Sequence, residues 1–345
     1  MNTKHIAAEY LSPQTVFDDS EVILSENDGE KTAIDLLGAE MAERIEAIIL
    51  AEKKNNIIPR FNQPKTVACV QAEFHVHENV PSALKHGLFA CPGSYPAMLR
   101  FANATNSDDS KKDIRGLSIR VSNVQGPVLW GQPGCQDFLL NSYPALFVAT
   151  PEEFLDFIRA RQENKKVQFF LNPARLHLKS LWIVMKASKH HASPLDIRYW
   201  STVPYCLGEA GGQIVKYSVT PCSEYTTTQV VEAGENQLRA ALKAHLQRAP
   251  ARFDFGVQIQ TNPDTMPIED ASVIWDEKQS PFQTVATLTI KNQQFDSPEL
   301  LASCERSSFN PWQCLAAHAP VGRMNAVRRL VYERAARLRN KEEPS

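Results

Sequence analysis

The C-terminal part of the sequence places one tyrosine between two arginines at helical spacing. On a helix, Arg328, Tyr332 and Arg339 fall within one narrow stripe. Ala335 and Ala336 lie beside that stripe and present little bulk. A guanidinium one turn away from a phenol favours the phenolate, which lowers the pKa of the phenol and suits it to bind a metal ion. The pattern therefore admits a tyrosinate metal site.

Two interpretations of this stripe follow from its spacing alone. In the first, the small alanines let a flat macrocycle approach Tyr332, and Arg339, about 10 Å farther along the helix axis, reaches a carboxylate at the edge of that ring. In the second, the segment is a basic surface helix that carries an exposed tyrosine. The residue types of the segment do not decide between the two.

The remaining motifs indicate no second site. His75 and His77 would share one face of a strand, but the nearest carboxylate, Glu78, is adjacent rather than several residues farther on, so we expect two polar-face histidines. The sequence contains no GxGxxG, no P-loop GxxxxGK[ST], no GxSxG and no HExxH pattern. The commonest nucleotide-binding, hydrolase and zinc-protease interpretations are therefore excluded.

Hydrophobic periodicity predicts strands and helices in separate clusters. Period-two alternation marks a first strand at 70–76, and helical spacing marks a first helix at 33–53. Further strands are predicted at 98–102, 117–121, 137–140, 145–148, 214–219, 253–259 and 285–290, and further helices at 152–164, 226–248 and 323–340. Because no regular strand–helix–strand rhythm appears, the order favours a mainly antiparallel sheet or barrel with helices packed outside it.

Composition limits the class of protein. The 345 residues carry a formal charge of -2, so no field of the whole protein would attract nucleic acid. Hydrophobic residues make up 43%, which is typical of a folded globular chain. Seven cysteines form no CxxC pair and the N-terminus lacks an apolar signal region, so we expect reduced thiols and a cytoplasmic protein. No apolar run is long enough to predict a membrane span.

Several segments, in order along the chain, resemble the haem catalase superfamily. The spacing of Arg328, Tyr332 and Arg339 resembles its proximal segment, and 309–332 resembles the same part of small catalase-related haem proteins. Further segments that resemble the family are 60–65 with 70–76, 87–90, 99–101, the D-x-R-G turn at 113–116, 136–147, 255–260 and 267–275. Together they extend over about residues 57–339, which makes the resemblance specific.

The resemblance implies a fold and a cofactor. The fold is α+β: a catalase-like antiparallel β-barrel core with surrounding helices and a C-terminal helix that carries the proximal haem ligand. We expect residues 57–345 to form this haem-binding domain and residues 1–56 to form an N-terminal arm and a helix. The implied cofactor is haem b with its iron.

The resemblance also implies a proximal ligand and anchors for the haem carboxylates. Tyr332 is the expected iron ligand, and Arg328 supports its phenolate form. Arg60, Arg100 and Arg339 are expected to hold the haem propionates through charge-assisted hydrogen bonds.

The distal side departs from the family's pattern. By resemblance, Asn141 is the distal asparagine, and Phe147 and Phe154 wall the haem pocket. Gln63 occupies the position of the family's essential histidine, and Ala102 that of a hydroxyl residue which often hydrogen-bonds to that histidine. Glutamine cannot shuttle the proton that heterolysis of hydrogen peroxide requires. Gln63 and Asn141 would therefore bind and polarise a ligand rather than drive rapid dismutation.

The resemblance and this departure together predict a catalase-related haem enzyme with weak or absent catalase activity. It would act on an organic hydroperoxide or an N–O-bonded small molecule, by rearrangement, dehydration or a peroxidase-type reaction. Open alternatives are a non-catalytic haem-binding or sensing protein, a residual catalase or peroxidase for peroxide detoxification, and a pseudo-enzyme without haem. The expected partners are a small-molecule substrate and further copies of the chain, without nucleic acid. Residues 165–210 leave two roles open, an access channel or an interface.

Overall fold

The computed structural model of the chain describes residues 28–53, 58–172, 177–209, 211–227 and 234–340. Its helices are α1 (Asp28–Ala51), α2 (Pro151–Gln162), α3 (Lys166–Leu171), α4 (Leu178–Ala187), α5 (Gln237–Arg248), α6 (Pro298–Arg306) and α7 (Arg323–Asn340). Its strands are β1 (Lys65–Val76), β2 (Gly93–Asn103), β3 (Arg115–Ser122), β4 (Cys135–Asn141), β5 (Tyr199–Trp200), β6 (Tyr205–Leu207), β7 (Gln213–Pro221), β8 (Ala251–Ile259) and β9 (Gln283–Ile290).

The strands form one antiparallel sheet that closes on itself. Its order is β5-β4-β3-β2-β1-β9-β8-β7-β6, and β5 pairs with β7 as well as with β4. This second pairing closes eight strands into a barrel, while β6 continues the sheet beside β7. The predicted α+β fold, an antiparallel barrel with helices outside it, is confirmed. Closure leaves the long strands without a free edge.

The interior of the barrel is filled by aromatic rings. Phe138 contacts Phe255 and Tyr217 with ring centroids 4.8 and 5.1 Å apart. Phe74 meets Phe255 edge-on at 5.3 Å, and all four side chains are buried. Such offset and edge-on contacts are the favoured geometries for aromatic packing. Because these rings occupy the interior, a site for a large cofactor must lie between the barrel and the helices outside it.

Most of the predicted long elements are present, and the differences fall on short ones. Residues 145–148 form bends rather than a strand, and α5 begins at Gln237, although 226–248 was predicted; residues 228–233 lie outside the described part of the chain. β5 and β6 span two and three residues. Runs this short contain less than two periods of alternation, so hydrophobic periodicity does not reveal them.

The two strand histidines make hydrogen bonds to neighbouring strands. His75 Nδ1 lies 2.9 Å from Ser94 Oγ on β2, and His77 Nε2 lies 2.8 Å from Thr287 Oγ1 on β9. Within the described ranges, no group of three or more His, Cys, Asp and Glu side chains is arranged to hold a metal ion. Each histidine thus has a structural partner on the barrel wall.

A disulfide joins the barrel to a helix outside it. Cys69 on β1 is bonded to Cys304 on α6, across 235 residues of sequence. The expectation of reduced thiols is therefore wrong for these two cysteines. Their pairing depends on tertiary structure, which spacing along the chain does not reveal. The bond ties α6, and the segment that follows it, to the strand beside Arg100. The cytoplasmic location stays a prediction.

The N-terminal helix α1 packs along α7, the helix that carries Tyr332. At Gly38 the two backbones approach closely, since a Cβ there would lie 2.9 Å from Leu330 Cδ1 and 3.5 Å from Val327 Cα. Glu46 pairs with Arg334 across the same contact. Residues 54–57 lie outside the described chain, so the predicted domain boundary at 56/57 stays a prediction.

Candidate functional site

Four residues lie side by side across β1 to β4 at one end of the barrel. Thr66 pairs with Ala102, Ala102 with Gly116, and Gly116 with Asn141 in the registers of successive strands. Directly opposed residues of antiparallel strands present their side chains on the same face. The two middle residues of this row, Ala102 and Gly116, have little or no side chain, and Asn141 places an amide group at one end.

Gln63 lies across this row just before β1 begins. Its backbone is in the left-handed region with φ of 56°, and its N–H donates to Ala104 O at 3.2 Å. Its side-chain Nε2 donates to Asn141 Oδ1 at 3.0 Å. A Cβ on Gly116 would lie 2.1 Å from Gln63 Nε2, so a side chain there would displace the amide. Because Gly116 has no side chain, the Gln63 side chain can reach Asn141.

The D-x-R-G turn before β3 places Gly116. Asp113 accepts hydrogen bonds from the backbone N–H groups of Thr105 and Asn106, each at 2.8 Å. Arg115 Nη2 donates to Lys111 O at 2.7 Å, and both charged residues of the turn are buried. The charged groups of Asp113 and Arg115 hydrogen-bond to the loop before β3, so these two residues position the site and do not face it.

We expect Gly116→Ala to break the contact between Gln63 and Asn141 without unfolding the chain, because the far end of Gln63 can swing aside. The lost hydrogen bond should lower the free energy of unfolding by about 1 kcal/mol. The side-chain amide resonances of both residues should shift in NMR spectra. Gly93→Ala is the matched control, since its Cβ would meet only ordinary contacts at 3.8 Å or more. Unchanged amide resonances in Gly116→Ala would show that Gly116 does not position Gln63.

Arg100 connects the hydrogen-bonded pair Gln63 and Asn141 to a guanidinium cluster, which consists of Arg100 itself with Arg60 and Arg339. It lies on β2 and is almost fully buried. Its Nε donates to Thr66 Oγ1 and its Nη2 donates to Gln63 O, both at 2.9 Å. The second bond holds the backbone of Gln63 in place, so Arg100 positions the distal amide and also faces the cluster.

Arg60 is held by the segment that follows α6. Its Nη2 donates to Ser307 O at 2.6 Å and to Glu305 O at 3.1 Å. The Glu305 carboxylate lies 3.6 Å from Arg60 Nε and is about half exposed. Because Cys304 is bonded to Cys69, the disulfide fixes the segment that carries these carbonyl groups.

Arg60, Arg100 and Arg339 repel one another. Burial, followed by the charge of Arg60, lowers the pKa of Arg100 to about 9 and that of Arg339 to about 10. Burial also lowers the pKa of Arg60, and the nearby Glu305 carboxylate opposes the effect. A second anion beside the three groups would restore their usual pKa values.

Two of these guanidinium groups have an unused donor. Arg339 Nε is buried and has no hydrogen-bond partner among the described residues, and Arg60 Nε makes no hydrogen bond there beyond its 3.6 Å ion pair with Glu305. Arg339 Nη2 makes a long contact of 3.4 Å with Ser308 Oγ. Buried donors are normally satisfied, so an unsatisfied pair beside excess positive charge fits a ligand with carboxylate groups. The cluster thus fits the two propionates of a haem.

On α7, Tyr332 and Arg328 lie one turn apart with the phenol half-buried. Arg328 Nη2 lies 3.5 Å from Tyr332 Oη, and its guanidinium carbon lies 5.3 Å from the ring centroid. Burial acts to lower the pKa of Arg328, but the phenols of Tyr332 and Tyr205 outweigh it and the pKa is raised. Arg328 therefore keeps a positive charge beside the oxygen of Tyr332.

Asn325 positions Arg328 and was missed by the sequence analysis. Its Oδ1 accepts from Arg328 Nη1 at 2.9 Å, while its Nδ2 donates to Pro204 O and Val321 O. Trp312 Nε1 donates to its backbone carbonyl at 2.9 Å. Asn325 precedes Arg328 by one helical turn, so an i,i+3 pairing on α7 was the available signal.

Phe147 and Phe154 belong to a phenylalanine cluster on the inner side of α2. Their ring centroids are 6.3 Å apart, and Phe157 lies 4.8 Å from Phe147. One turn farther along α2, Arg161 lies 4.3 Å from the ring of Phe61 and donates to its carbonyl group. The cluster is thereby connected to the segment that ends at Gln63, and the rings of Phe147 and Phe154 contact other phenylalanine rings.

The predicted site residues form linked groups around one end of the barrel. Hydrogen bonds connect Gln63 with Asn141 and with Arg100. Tyr332 lies close enough to Arg60 and to Arg339, on different parts of the chain, to oppose the lowering of both their pKa values. The guanidinium cluster therefore lies between the distal amides, to which Arg100 is hydrogen-bonded, and the phenol of Tyr332.

A sequence profile described as Catalase matches residues 43–342. The chain belongs to the catalase family. The resemblance inferred from its segments is thereby confirmed, and members of the catalase family bind haem.

The chain is similar to two curated proteins whose names describe different activities. The chain is 22% identical over 258 residues to an allene oxide synthase-lipoxygenase protein of Plexaura homomalla, covering 67% of this chain and 23% of that protein. It is 26% identical over 208 residues to a catalase-related peroxidase of Mycolicibacterium paratuberculosis (strain ATCC BAA-968 / K-10), covering 56% and 63%. The chain thus spans less than two thirds of the length of either relative.

Solved catalase structures share the fold at low identity. A bacterial catalase superposes with a TM-score of 0.63 at 16% identity, covering 96% of this chain and 64% of that one. A fungal catalase gives 0.64 at 15%, covering 94% and 66%, and catalase A from Saccharomyces cerevisiae gives 0.63 at 15%, covering 95% and 68%. The chain therefore has the catalase fold and spans about two thirds of the length of these structures.

Proposed function

We propose that the chain is a haem-dependent enzyme that acts on an organic hydroperoxide or on a small molecule with an N–O bond, with little catalase activity. The reaction would be a rearrangement, a dehydration or a peroxidase-type reduction. Hydroperoxide chemistry is supported by the relatives, since one is a peroxidase and the other an allene oxide synthase-lipoxygenase.

The observation that carries this proposal is the hydrogen bond between Gln63 and Asn141, the residue at the β4 end of the row across β1 to β4. Gln63 Nε2 donates to Asn141 Oδ1 at 3.0 Å, so the Asn141 amide is oriented with Nδ2 as its remaining donor. Neither amide changes its protonation near neutral pH. The pair can hold and polarise a polar ligand atom, but it cannot accept a proton and return it.

This lack of a titrating group selects among reactions. Dismutation of hydrogen peroxide requires a proton to move between its two oxygens, and a positioned acid–base group contributes about 10²–10⁴ in rate to such transfers. Gln63 and Asn141 would forgo that contribution. An organic hydroperoxide or N–O compound whose weak bond rearranges without this proton movement loses less. Among the proposed reactions the amide pair therefore favours rearrangement, since dehydration and peroxidase-type reduction both protonate a departing oxygen.

The residues present fit haem b as the cofactor. Tyr332 would be the iron ligand with Arg328 stabilising its phenolate, and Arg60, Arg100 and Arg339 would bind the propionates. Bound haem would supply an electron-rich ferric iron able to cleave an O–O or N–O bond. Phe147 and Phe154 would wall the pocket and exclude water from it.

We expect Arg339→Met to weaken haem binding about tenfold or more without lowering the stability of the haem-free chain. The substitution removes a charge-assisted bond to a propionate, worth about 1.5–3 kcal/mol, but it also relieves repulsion from Arg60. Haem titration followed by the Soret band and thermal unfolding of the haem-free chain measure the two effects. Arg337→Met on the exposed side of α7 is the control. Full affinity in Arg339→Met would exclude this residue from propionate binding.

A substrate screen tests the proposed function. The haem-loaded chain is mixed with alkyl and fatty-acid hydroperoxides, aldoximes and hydroxylamines, with hydrogen peroxide as the comparison, and spectral shifts and products are recorded. We expect at least one organic compound to be consumed faster than hydrogen peroxide. Rapid oxygen evolution from hydrogen peroxide would overturn the proposal. Spectral binding without consumption of any compound would favour a non-catalytic haem-binding or sensing protein, because the same amide pair can donate to a bound gas molecule.

A further inference from the structure

We propose that the outward side of α3 and α4 binds the surface of an anionic lipid bilayer. Large apolar side chains are exposed there on two successive helices outside the barrel. Val167 and Leu171 on α3 are 69% and 54% exposed, and Leu178, Trp182 and Met185 on α4 are 56%, 54% and 70% exposed. These five residues are called the α3–α4 face below. The two helices contact each other, and large apolar side chains exposed on adjacent helices are typical of an interaction site.

The exposed residues of α4 form one stripe of the helix. Leu178, Trp182 and Met185 are spaced at i, i+4 and i+7, which places them on the same side. Ile183 and Ala187 on the opposite side are buried against the rest of the chain. Helix α4 thus has two apolar sides. One packs against the rest of the chain, and the exposed one has no partner within the described residues.

The shorter helix α3 is anchored in the same manner. Val167 and Leu171 point outward at i and i+4, whereas Phe169 between them is buried. The ring of Phe169 stacks on His177 at a centroid distance of 4.2 Å and meets Phe157 edge-on at 5.4 Å. Because Phe169 fixes α3 from beneath, the outward residues are held in place on a firm support.

The sequence around this face is exclusively basic among its charged residues. Between 164 and 195 the chain contains no Asp or Glu, whereas its total charge is -2. The basic residues of this stretch are Lys165, Lys166, Arg175, Lys179, Lys186 and Lys189. Lys165 and Lys179 have partners in Glu163 and Asp270, and such exposed pairs contribute little. Lysines that surround apolar residues complement a bilayer with anionic headgroups.

The dimensions of the helices favour a bilayer surface over a membrane span. α4 has 10 residues and a length of about 15 Å, half the thickness of the hydrocarbon core. Across the described ranges, no helix is long and apolar enough to cross a membrane. Tryptophan and lysine favour the headgroup region, and Lys186 Nζ lies 5.8 Å from the ring of Trp182. The α3–α4 face would therefore lie in the headgroup region of the bilayer, with the axes of α3 and α4 along the membrane plane.

The position of the face also has a consequence for the candidate site, which rests on the proposed function. Phe169 supports the face from beneath and contacts Phe157, which in turn contacts Phe147 in the predicted pocket wall. A docked bilayer would thus lie outside the aromatic layer that borders the site. Apolar hydroperoxides, which concentrate in bilayers, would then be presented at that side.

Sedimentation with sucrose-loaded vesicles tests the docking. The full haem-loaded chain is mixed with vesicles of phosphatidylcholine alone or of phosphatidylcholine with phosphatidylglycerol. We expect binding to the anionic vesicles at low salt, at least roughly tenfold weaker binding to the neutral ones, and release at high salt. Because this readout does not involve turnover, it can fail while the proposed function holds, and the reverse is also possible.

Substitutions locate the binding surface. Lys166→Glu combined with Lys186→Glu should weaken binding to anionic vesicles roughly 25-fold or more, since each lysine near a charged membrane contributes about fivefold. Trp182→Ser should weaken it roughly tenfold. The matched controls are Lys291→Glu and Leu36→Ser, which change an exposed lysine and an exposed leucine elsewhere and should leave binding unchanged.

Three outcomes would overturn the proposal. The first is no sedimentation of the wild-type chain with anionic vesicles. The second is equal loss of binding in the control variants and in those of the α3–α4 face, which would assign binding to general charge or hydrophobicity. The third is self-association, measured by analytical ultracentrifugation, that Trp182→Ser abolishes while vesicle binding persists. That result would make the face an interface between copies of the chain.

Discussion

We expect Tyr332→Phe to abolish the high-spin ferric tyrosinate spectrum and to weaken haem binding by at least about a hundredfold. The substitution removes the phenol oxygen that is the proposed iron ligand, and even residues that merely support a metal ligand contribute 10–100-fold to affinity. The ring stays, so packing on α7 is preserved. Absorption and electron paramagnetic resonance spectra during a haem titration measure both effects.

Tyr205→Phe is the matched control for this experiment. Tyr205 also lies beside Arg328, and its side chain is buried. Burial raises the pKa of its phenol, whereas Arg328 opposes that rise, so the group stays neutral at ordinary pH. The Tyr205→Phe chain should keep the tyrosinate spectrum. Loss of the spectrum in Tyr205→Phe together with its persistence in Tyr332→Phe would exchange the two assignments.

Gln63→His should raise the rate of hydrogen peroxide dismutation by a large factor, up to about 10²–10⁴. An imidazole with a pKa near 7 can accept and return the proton that the amide cannot move. The backbone accommodates the change, because histidine is among the residues that tolerate the left-handed φ of 56° at this position. Oxygen evolution per haem is the measurement.

Gln63→Asn is the control that shows whether a gain in dismutation comes from proton transfer or from a changed shape of the side chain at this position. Asparagine also tolerates a left-handed backbone but adds no titrating group, so it should not gain dismutation activity. Adding Ala102→Ser to Gln63→His should increase the gain, since Ala102 lies opposite both Thr66 and Gly116 in the row beneath Gln63. No gain in Gln63→His, alone or with Ala102→Ser, would mean that pocket shape rather than the missing proton shuttle limits dismutation.

The parts of the site that could be predicted from the sequence are those set by local spacing. Arg328 and Tyr332 lie one turn apart on a long helix, so periodicity alone brought them together, and α7 ends within the predicted range. The long strands of the barrel followed from alternation for the same reason. The resemblance supplied residues such as Gln63 and Asn141 individually.

Contacts between distant segments could not be predicted in this way. Gln63 reaches Asn141 because β2, β3 and β4 bring Ala102, Gly116 and Asn141 into one register, and register depends on the whole barrel. The disulfide depends on packing of α6 across the barrel wall in the same manner. Asn325 was within reach of a local argument, but two of its three further hydrogen bonds, to Pro204 O and from Trp312 Nε1, join separate segments that local spacing does not bring together.

Short elements escaped prediction for a different reason. α3 and α4 have 6 and 10 residues, which is less than two turns and less than three turns of helix. Segments this short contain too few repeats of the 3.6-residue period for hydrophobic periodicity to mark them as helices.

Haem titration of the purified haem-free chain tests haem binding most directly. If Tyr332 and the buried guanidinium cluster hold the cofactor, the Soret band will saturate at a single haem per chain with a high-spin ferric tyrosinate spectrum, and Tyr332→Phe will lose that spectrum. Failure of the wild-type chain to saturate, or the same spectrum in Tyr332→Phe, would contradict the proposed site.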